Sequence, residues 1–487
     1  MEADTIVARA TPPGRGAVAL VRLSGPRALA IGRTLAPGLP GSPTPRAQRL
    51  AELFDPTTGE VLDRALVTFF PGPASYTGED VVELALHGSP LLVAMVEECC
   101  RKAGARPARP GEFTRRAWLH GKLDLVQAEA VIDLIEAGSP AAHRAAVSQV
   151  EGGLSRRIAG LREGLVDLEA LLVHYLDFPE EDDAPVSLDG IAAEGRRLSE
   201  AVGRLVATAP EGELLREGAL VVLAGRPNAG KSSLFNALLG EERAIVTELP
   251  GTTRDALEAR LAIGGFPFRL VDTAGLRKGR ERVERMGIEV ARRWLAAADL
   301  VLLCVPLDEE VGEEEERFVA SLPEEARLIL VRSCADRVPG RGEGEAGEDE
   351  PERAGDGGGR AGDGPRSRWE AGPDALPPER VHRTLALSAM EGTGLAELRE
   401  AMRELVFSGL AAGSWDAPVV TRGRQREGLE AAGAAVDAFV AAVEGGIPVE
   451  MAGTHLKSAA TALEELLGVI PQEEVLDRVF ERFCIGK

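Results

Sequence analysis

A chain of 487 residues with 56 Lys and Arg against 78 Asp and Glu carries a formal charge of −22, which excludes a generically basic nucleic-acid coat. At 44% apolar it can bury several cores, and its length predicts two to four domains. No uncharged apolar run reaches 18 residues, and the opening MEADTIVARATPPGRG lacks the apolar stretch of a secretory signal, so a cytoplasmic protein is expected.

Residues 1–118 alternate short β-like runs (18–23, 65–70 and 81–86) with Gly/Pro turns and one helical stretch after Pro90, the pattern of a small α+β domain. From 119 to 217 apolar residues recur at three- and four-residue spacing, as in Leu125, Ala128, Ile132 and Ile135 and then Leu161, Leu165, Leu168 and Leu172. That spacing predicts long helices in a bundle. Between 218 and 409 the runs 220–223, 269–271, 300–305, 328–331 and 385–387 alternate with helical segments, which predicts a doubly wound, mostly parallel α/β domain. Helical periodicity resumes over 410–487, so the α/β domain reads as an insertion into a helical one. Residues 340–380, rich in Gly, Pro, Glu and Arg, are expected to form a disordered surface insertion.

The strongest chemical signal is Gly225-Arg-Pro-Asn-Ala-Gly230-Lys231-Ser232, a GxxxxGK[ST] loop between a strand and a helix predicted over 232–239. Backbone N–H groups of such a loop surround phosphates, Lys231 reaches the β and γ oxygens, and the Ser232 hydroxyl suits Mg²⁺. A glycine-rich turn without ligand is the plainer alternative. Two further motifs in register outweigh it. Asp272-Thr273-Ala274-Gly275 begins 41 residues after Lys231, at a strand end where a carboxylate can reach the Mg²⁺ shell. Between them lies Gly251-Thr252-Thr253-Arg254-Asp255, whose Thr253 is a second Mg²⁺ candidate. The order is that of a GTPase.

The expected guanine reader, Asn-Lys-x-Asp, is here Ser333-Cys334-Ala335-Asp336. Asp336 can still accept from guanine N1–H and N2–H, and Ser388-Ala389 can offer a backbone N–H to O6. An amide toward the base and the Lys stem over its face are missing. Guanine preference with weakened affinity is therefore expected. In Ras-type enzymes a Gln orients the attacking water, and Leu276 stands at that position. Glu284 on the downstream helix is the preferred water-positioning acid. Asn228, Thr247 and Thr252 can hold a monovalent cation in place of an arginine finger.

Taken together, these residues resemble the MnmE (TrmE) family of tRNA-modifying GTPases over essentially the whole chain. The resemblance rests on TIVARATPPGRG (5–16), SYTGEDVVEL (75–84), HG at His87, RPGEFTRRAW (109–118), KLDLVQAEA (122–130), GRPNAGKSS, PGTTRD, DTAGLR and the terminal Phe483-Cys484-Ile485-Gly486-Lys487. It implies a multidomain α/β architecture: an N-terminal α+β folate-binding-like domain that dimerises, a helical bundle, and an inserted Ras-like P-loop GTPase domain that pairs across its nucleotides with K⁺. It implies GTP contacts at Asn228, Ala229, Gly230, Lys231, Ser232 and Ser233, at Thr247, Glu248, Leu249, Pro250, Gly251, Thr252 and Thr253, and at Asp272 to Gly275. The cation would lie at Asn228, Thr247, Leu249 and Thr252, with Glu284 as the water-positioning acid.

The resemblance also implies a tetrahydrofolate derivative, 5,10-methylene or 5-formyl, at Arg22, Glu83, Lys122 and Lys487, with Cys484 in the terminal motif beside them. The activity would be modification of the wobble uridine, position 34, of certain tRNAs, together with the flavoprotein MnmG (GidA). Singly, Arg22, Glu83 and Lys122 read as surface charges, and Cys484 as a small apolar filler. Only six lysines occur, and Lys122, Lys231 and Lys487 are three of them. Rival readings are a ribosome-assembly GTPase, which would be expected to carry a basic RNA-binding domain, and an MnmE-like scaffold with weakened GTP binding. Residues 308–380 hold 21 acids and 10 bases, half of the chain's net charge, whereas residues 1–120 hold 14 bases and 12 acids. The principal grip on tRNA is accordingly assigned to the partner.

Overall fold

The computed structural model describes residues 4–177, 187–241, 258–272, 293–337, 376–412, 418–470 and 473–487. They form two compact units: one of residues up to Ile135 with Val147–Val206 and Arg424–Lys487, the other of Glu136–Ala146 with Ala207–Gly423.

The first unit contains a six-stranded sheet. Its strands are β1 (Ile6–Arg9), β2 (Val18–Ser24), β3 (Arg49–Phe54), β4 (Val61–Phe70), β5 (Val81–His87) and β6 (Arg106–Pro107), in the order β3-β4-β5-β2-β1-β6. All neighbours are antiparallel except β1 and β6. Alternation along β2 and β5 buries Val21, Leu23, Val82, Leu84 and Leu86 against α1 (Ala28–Leu35) and α2 (Pro90–Lys102), and turns Arg22 and Glu83 to the opposite face. Leu50, Val61 and Val18 are left exposed.

Helices follow in chain order: α3 (Glu112–Leu119), α4 (Leu125–Glu136), α5 (Pro140–Val150), α6 (Gly153–Asp177), α7 (Leu188–Val206), and later α12 (Gly423–Glu444), α13 (Val449–Leu467) and α14 (Glu473–Phe480). All belong chiefly to the first unit except α5, most of which falls in the second. The three- and four-residue spacing in α6 buries Leu154, Ile158, Leu161, Leu165, Leu168 and Leu172, as the sequence predicts. Between α4 and α12, the carboxylate of Glu129, 2% exposed, accepts from Arg424 Nε at 2.9 Å, Arg424 Nη2 at 3.0 Å and Gln425 Nε2 at 3.0 Å. This buried ion pair ties the helical segment before the inserted domain to the one after it, with both charges hydrogen-bonded as burial requires.

The second unit is built on β7 (Ala219–Ala224), β8 (Glu258–Ile263), β9 (Phe266–Asp272), β10 (Leu300–Pro306), β11 (Arg327–Ser333) and β12 (Arg383–Ala386), in the order β12-β11-β10-β7-β9-β8. Every pairing is parallel except β8 with β9. Strands buried on both faces read as continuous apolar runs, which is why β7, β10 and β11 are legible in the sequence. Helices α8 (Ala209–Glu217), α9 (Lys231–Glu241), α10 (Glu313–Ala320) and α11 (Leu395–Ala412) accompany the sheet.

Two expectations shift. Leu215 of α8 and Ala141 of α5 are buried in the core of the second unit, and Ala141 N–H donates to Gly265 O at 2.9 Å, so these two helical segments pack with the α/β unit. Periodicity shows that a segment is helical but not which neighbour covers its apolar face. The far end of the expected insertion is also packed: Leu376 is 5% exposed in the core beside β10 and β11, and Arg380 Nη2 donates to the carbonyls of Leu322 and Pro323. Residues 340–375 lie outside the described residues.

Candidate functional site

The phosphate loop follows β7, all six residues of which are buried. Gly225 at φ 132°, Asn228 at φ 64° and Gly230 at φ 81° take left-handed or related conformations that let the backbone turn sharply and its N–H groups converge. Lys231, 5% exposed, donates from Nζ to the carbonyls of Gly225 at 2.8 Å and Arg226 at 2.5 Å, which holds its ammonium over the loop. Ser232 Oγ donates to Asp272 Oδ2 at 2.9 Å. Two groups expected around Mg²⁺, one at the end of β9 and one at the start of α9, therefore meet as a hard oxygen pair of the kind Mg²⁺ takes.

The end expected to read the base is assembled from β11 and β12. Asp336 Oδ1 accepts from Ser388 Oγ at 2.8 Å. The Ser388 N–H donates to Thr393 O at 3.0 Å, which engages one of the two amides expected to serve guanine O6 and leaves that reading with Ala389. Cys334 sits at φ 58°. Ser333, where an Asn is expected, donates from Oγ to Ala229 O at 2.8 Å, a contact that sequence reasoning misses.

Sequence reasoning misses Arg226 as well. Its guanidinium lies 2.6 Å from Glu315 and 3.3 Å from Glu314, and Glu315 is 4% exposed. The acidic run at the start of α10 thus includes a carboxylate that fastens the loop, rather than being a wholly solvated flank. The Glu315 hydrogen bond, above all, raises the Arg226 pKa. Residues Thr247, Glu248, Leu249, Pro250, Gly251, Thr252, Thr253, Thr273, Ala274, Gly275 and Glu284 lie outside the described residues.

On the face of the N-terminal sheet opposite α1 and α2, Arg22 and Glu83 are direct cross-strand partners. Arg22 Nε donates to Glu83 Oε1 at 2.9 Å and Nη2 lies 2.8 Å from the same oxygen. Read singly from the sequence as surface charges, they form one pair. The guanidinium carbon lies 5.7 Å from the ring centres of both Tyr76 and Phe113.

Lys487 belongs to this neighbourhood: its carbonyl accepts from Phe113 N–H at 3.2 Å, and burial followed by the Arg22 charge pushes its amine below the usual lysine range. Cys484 is exposed, which removes the apolar-filler reading, and Phe483 takes the core position instead, 5% exposed. Lys122 is exposed and donates to Pro73 O at 3.2 Å.

The comparisons agree with the motifs. A family model described as GTP-binding protein TrmE N-terminus matches residues 5–122, and one described as MnmE helical domain matches residues 125–484. A tRNA modification GTPase MnmE of Moorella thermoacetica is 41% identical over 99% of each chain. The chain belongs to the MnmE family. A second relative of that name, from Heliobacterium modesticaldum, is 39% identical over 100% of each chain, and one from Neisseria meningitidis is 40% identical over 99% of each. Family membership accounts for the P-loop unit within a helical chain. Among the described residues no helix is long and apolar enough to cross a membrane.

Proposed function

We propose that this chain is the GTP-hydrolysing subunit of a cytoplasmic complex that modifies C5 of the wobble uridine of certain tRNAs, adding carboxymethylaminomethyl or aminomethyl groups with a tetrahydrofolate one-carbon donor. The observation that carries the reading is the Ser232–Asp272 pair beside Lys231, with Asp336 at the end of β11. In this reading Ser232 and Thr253 would hold Mg²⁺, and Asp272, bonded to Ser232, would stand close enough to reach its shell. Bound Mg²⁺ neutralises charge on the phosphates. Asn228, Thr247, Leu249 and Thr252 hold K⁺, and Glu284 positions the attacking water.

Arg22, Glu83, Lys122 and Lys487 receive the folate, and Cys484 lines the same site. Glu83 uses one oxygen for both Arg22 contacts, and its other oxygen can accept from a pterin N–H. The chain acts as a homodimer with MnmG, and the partner supplies most of the tRNA contact. Nucleotide turnover would open and close the paired GTPase domains and so drive the modification site.

GTP hydrolysis measured in K⁺ and in Na⁺ tests the cation and the enzyme together. Stimulation by K⁺ is expected, and equal rates would contradict it. Analysis of wobble uridine in cells lacking the chain tests the product. Removing the last four residues should abolish modification and leave GTP binding intact.

A further inference from the structure

Strand β11 ends on a bond that base recognition does not require. Ser333 is 2% exposed, and its hydroxyl donates to Ala229 O inside the phosphate loop at 2.8 Å. The left-handed backbone of Cys334 accompanies a close approach: a Cβ built on Gly230 would lie 3.4 Å from Ser333 Cβ, from Ser333 Oγ and from Cys334 Sγ. Three residues further on, Asp336 is fixed by Ser388. A single short segment therefore holds the phosphate loop at one end and the base-reading carboxylate at the other.

The Ala229 carbonyl and the Gly230 N–H share one planar trans peptide and point in opposite directions. Fixing the carbonyl toward β11 fixes the N–H away from it, as a donor to phosphate. We propose that Ser333 is a positioning residue that sets the phosphate loop by anchoring this peptide, and so governs affinity for the phosphate part of a nucleotide whatever its base. A hydroxyl is too short to reach the base as well, so Ser333 keeps a bond to the loop while the amide toward the base goes unreplaced, and Asp336 retains its own acceptor role. The proposal rests on the nucleotide-binding reading above.

The test is equilibrium binding of GTP and inosine triphosphate, which lacks the 2-amino group, to the full chain and to its Ser333→Ala and Ser333→Thr variants. Ser333→Ala is expected to weaken both nucleotides by the same factor, about tenfold for a buried hydrogen bond. Ser333→Thr, which keeps the hydroxyl, is expected to restore both. Unchanged affinity in Ser333→Ala, a loss confined to GTP, or a Thr variant as weak as Ala would each overturn the proposal. Binding stoichiometry covers misfolding: fewer sites at unchanged affinity would also overturn it. An unsubstituted chain that binds neither nucleotide sinks the nucleotide reading itself, a result distinct from any of the variant outcomes.

Discussion

The nucleotide site and the N-terminal sheet face assemble polar groups by opposite rules. At the nucleotide site each group stands at the C-terminal end of a parallel strand: the loop after β7, Asp272 closing β9, Ser333 and Asp336 at the end of β11, and Ser388 after β12. Parallel connections return every strand in the same direction, so strand ends collect along one edge and spacing in sequence becomes geometry. Arg22 and Glu83 meet in mid-strand because β2 and β5 are antiparallel neighbours. Tyr76, Phe113 and Lys487 come to them from a loop, a helix and the terminal motif. At the first site Lys231 and Ser333 are held by loop carbonyls, whereas at the second Arg22 and Glu83 hold each other.

That contrast can be broken most severely at Lys231. Lys231→Ala removes a buried ammonium bonded to two loop carbonyls, and GTP affinity is expected to fall by at least about 100-fold, read by equilibrium binding. Asp336→Asn comes next: the amide keeps one acceptor oxygen but sets an NH2 donor against one of guanine's N1–H and N2–H, with an expected loss of about 30-fold. Xanthosine triphosphate, whose 2-oxo group accepts from an amide, should bind the variant better than the parent chain.

The sheet face should respond differently. Glu83→Gln leaves the Arg22 cation without its ionised partner, and because the two side chains are 15% and 22% exposed the expected cost is about 1 kcal/mol of stability, read by denaturant unfolding. Folate binding should weaken while GTP turnover is unchanged. A fall in GTP affinity in this variant would erase the distinction between the two sites.

These differences also explain what the sequence can reveal. Loops after parallel strands leave contiguous motifs, so Gly225–Ser232 and Asp272 are readable without any relative. Strands β1, β3 and β8 escape the sequence reading because short or edge strands carry little continuous apolar pattern. The Arg22–Glu83 pair spans 61 residues, and no local period marks such a pairing; resemblance alone picks out its members. Ser333 is the intermediate case. Its position is visible as a departure from Asn, but the bond to Ala229 depends on a backbone turn at Cys334 that residue identity does not announce.

The smallest expected effect is on pH dependence through Lys487. Burial first, then the Arg22 charge, lowers its folded-state pKa below the ordinary 10.5. Between the two values the unfolded chain binds more protons than the folded one, so stability rises with pH across that window. Below the folded value the charged amine opposes folding, and above the unfolded value the penalty is gone. Lys487→Met should therefore flatten the alkaline limb of a stability–pH profile and leave stability at neutral pH equal or slightly higher. A variant less stable at neutral pH, with the alkaline rise intact, would mean that the amine acts as a favourable contact, and the sheet face would then resemble the nucleotide site more than this contrast allows.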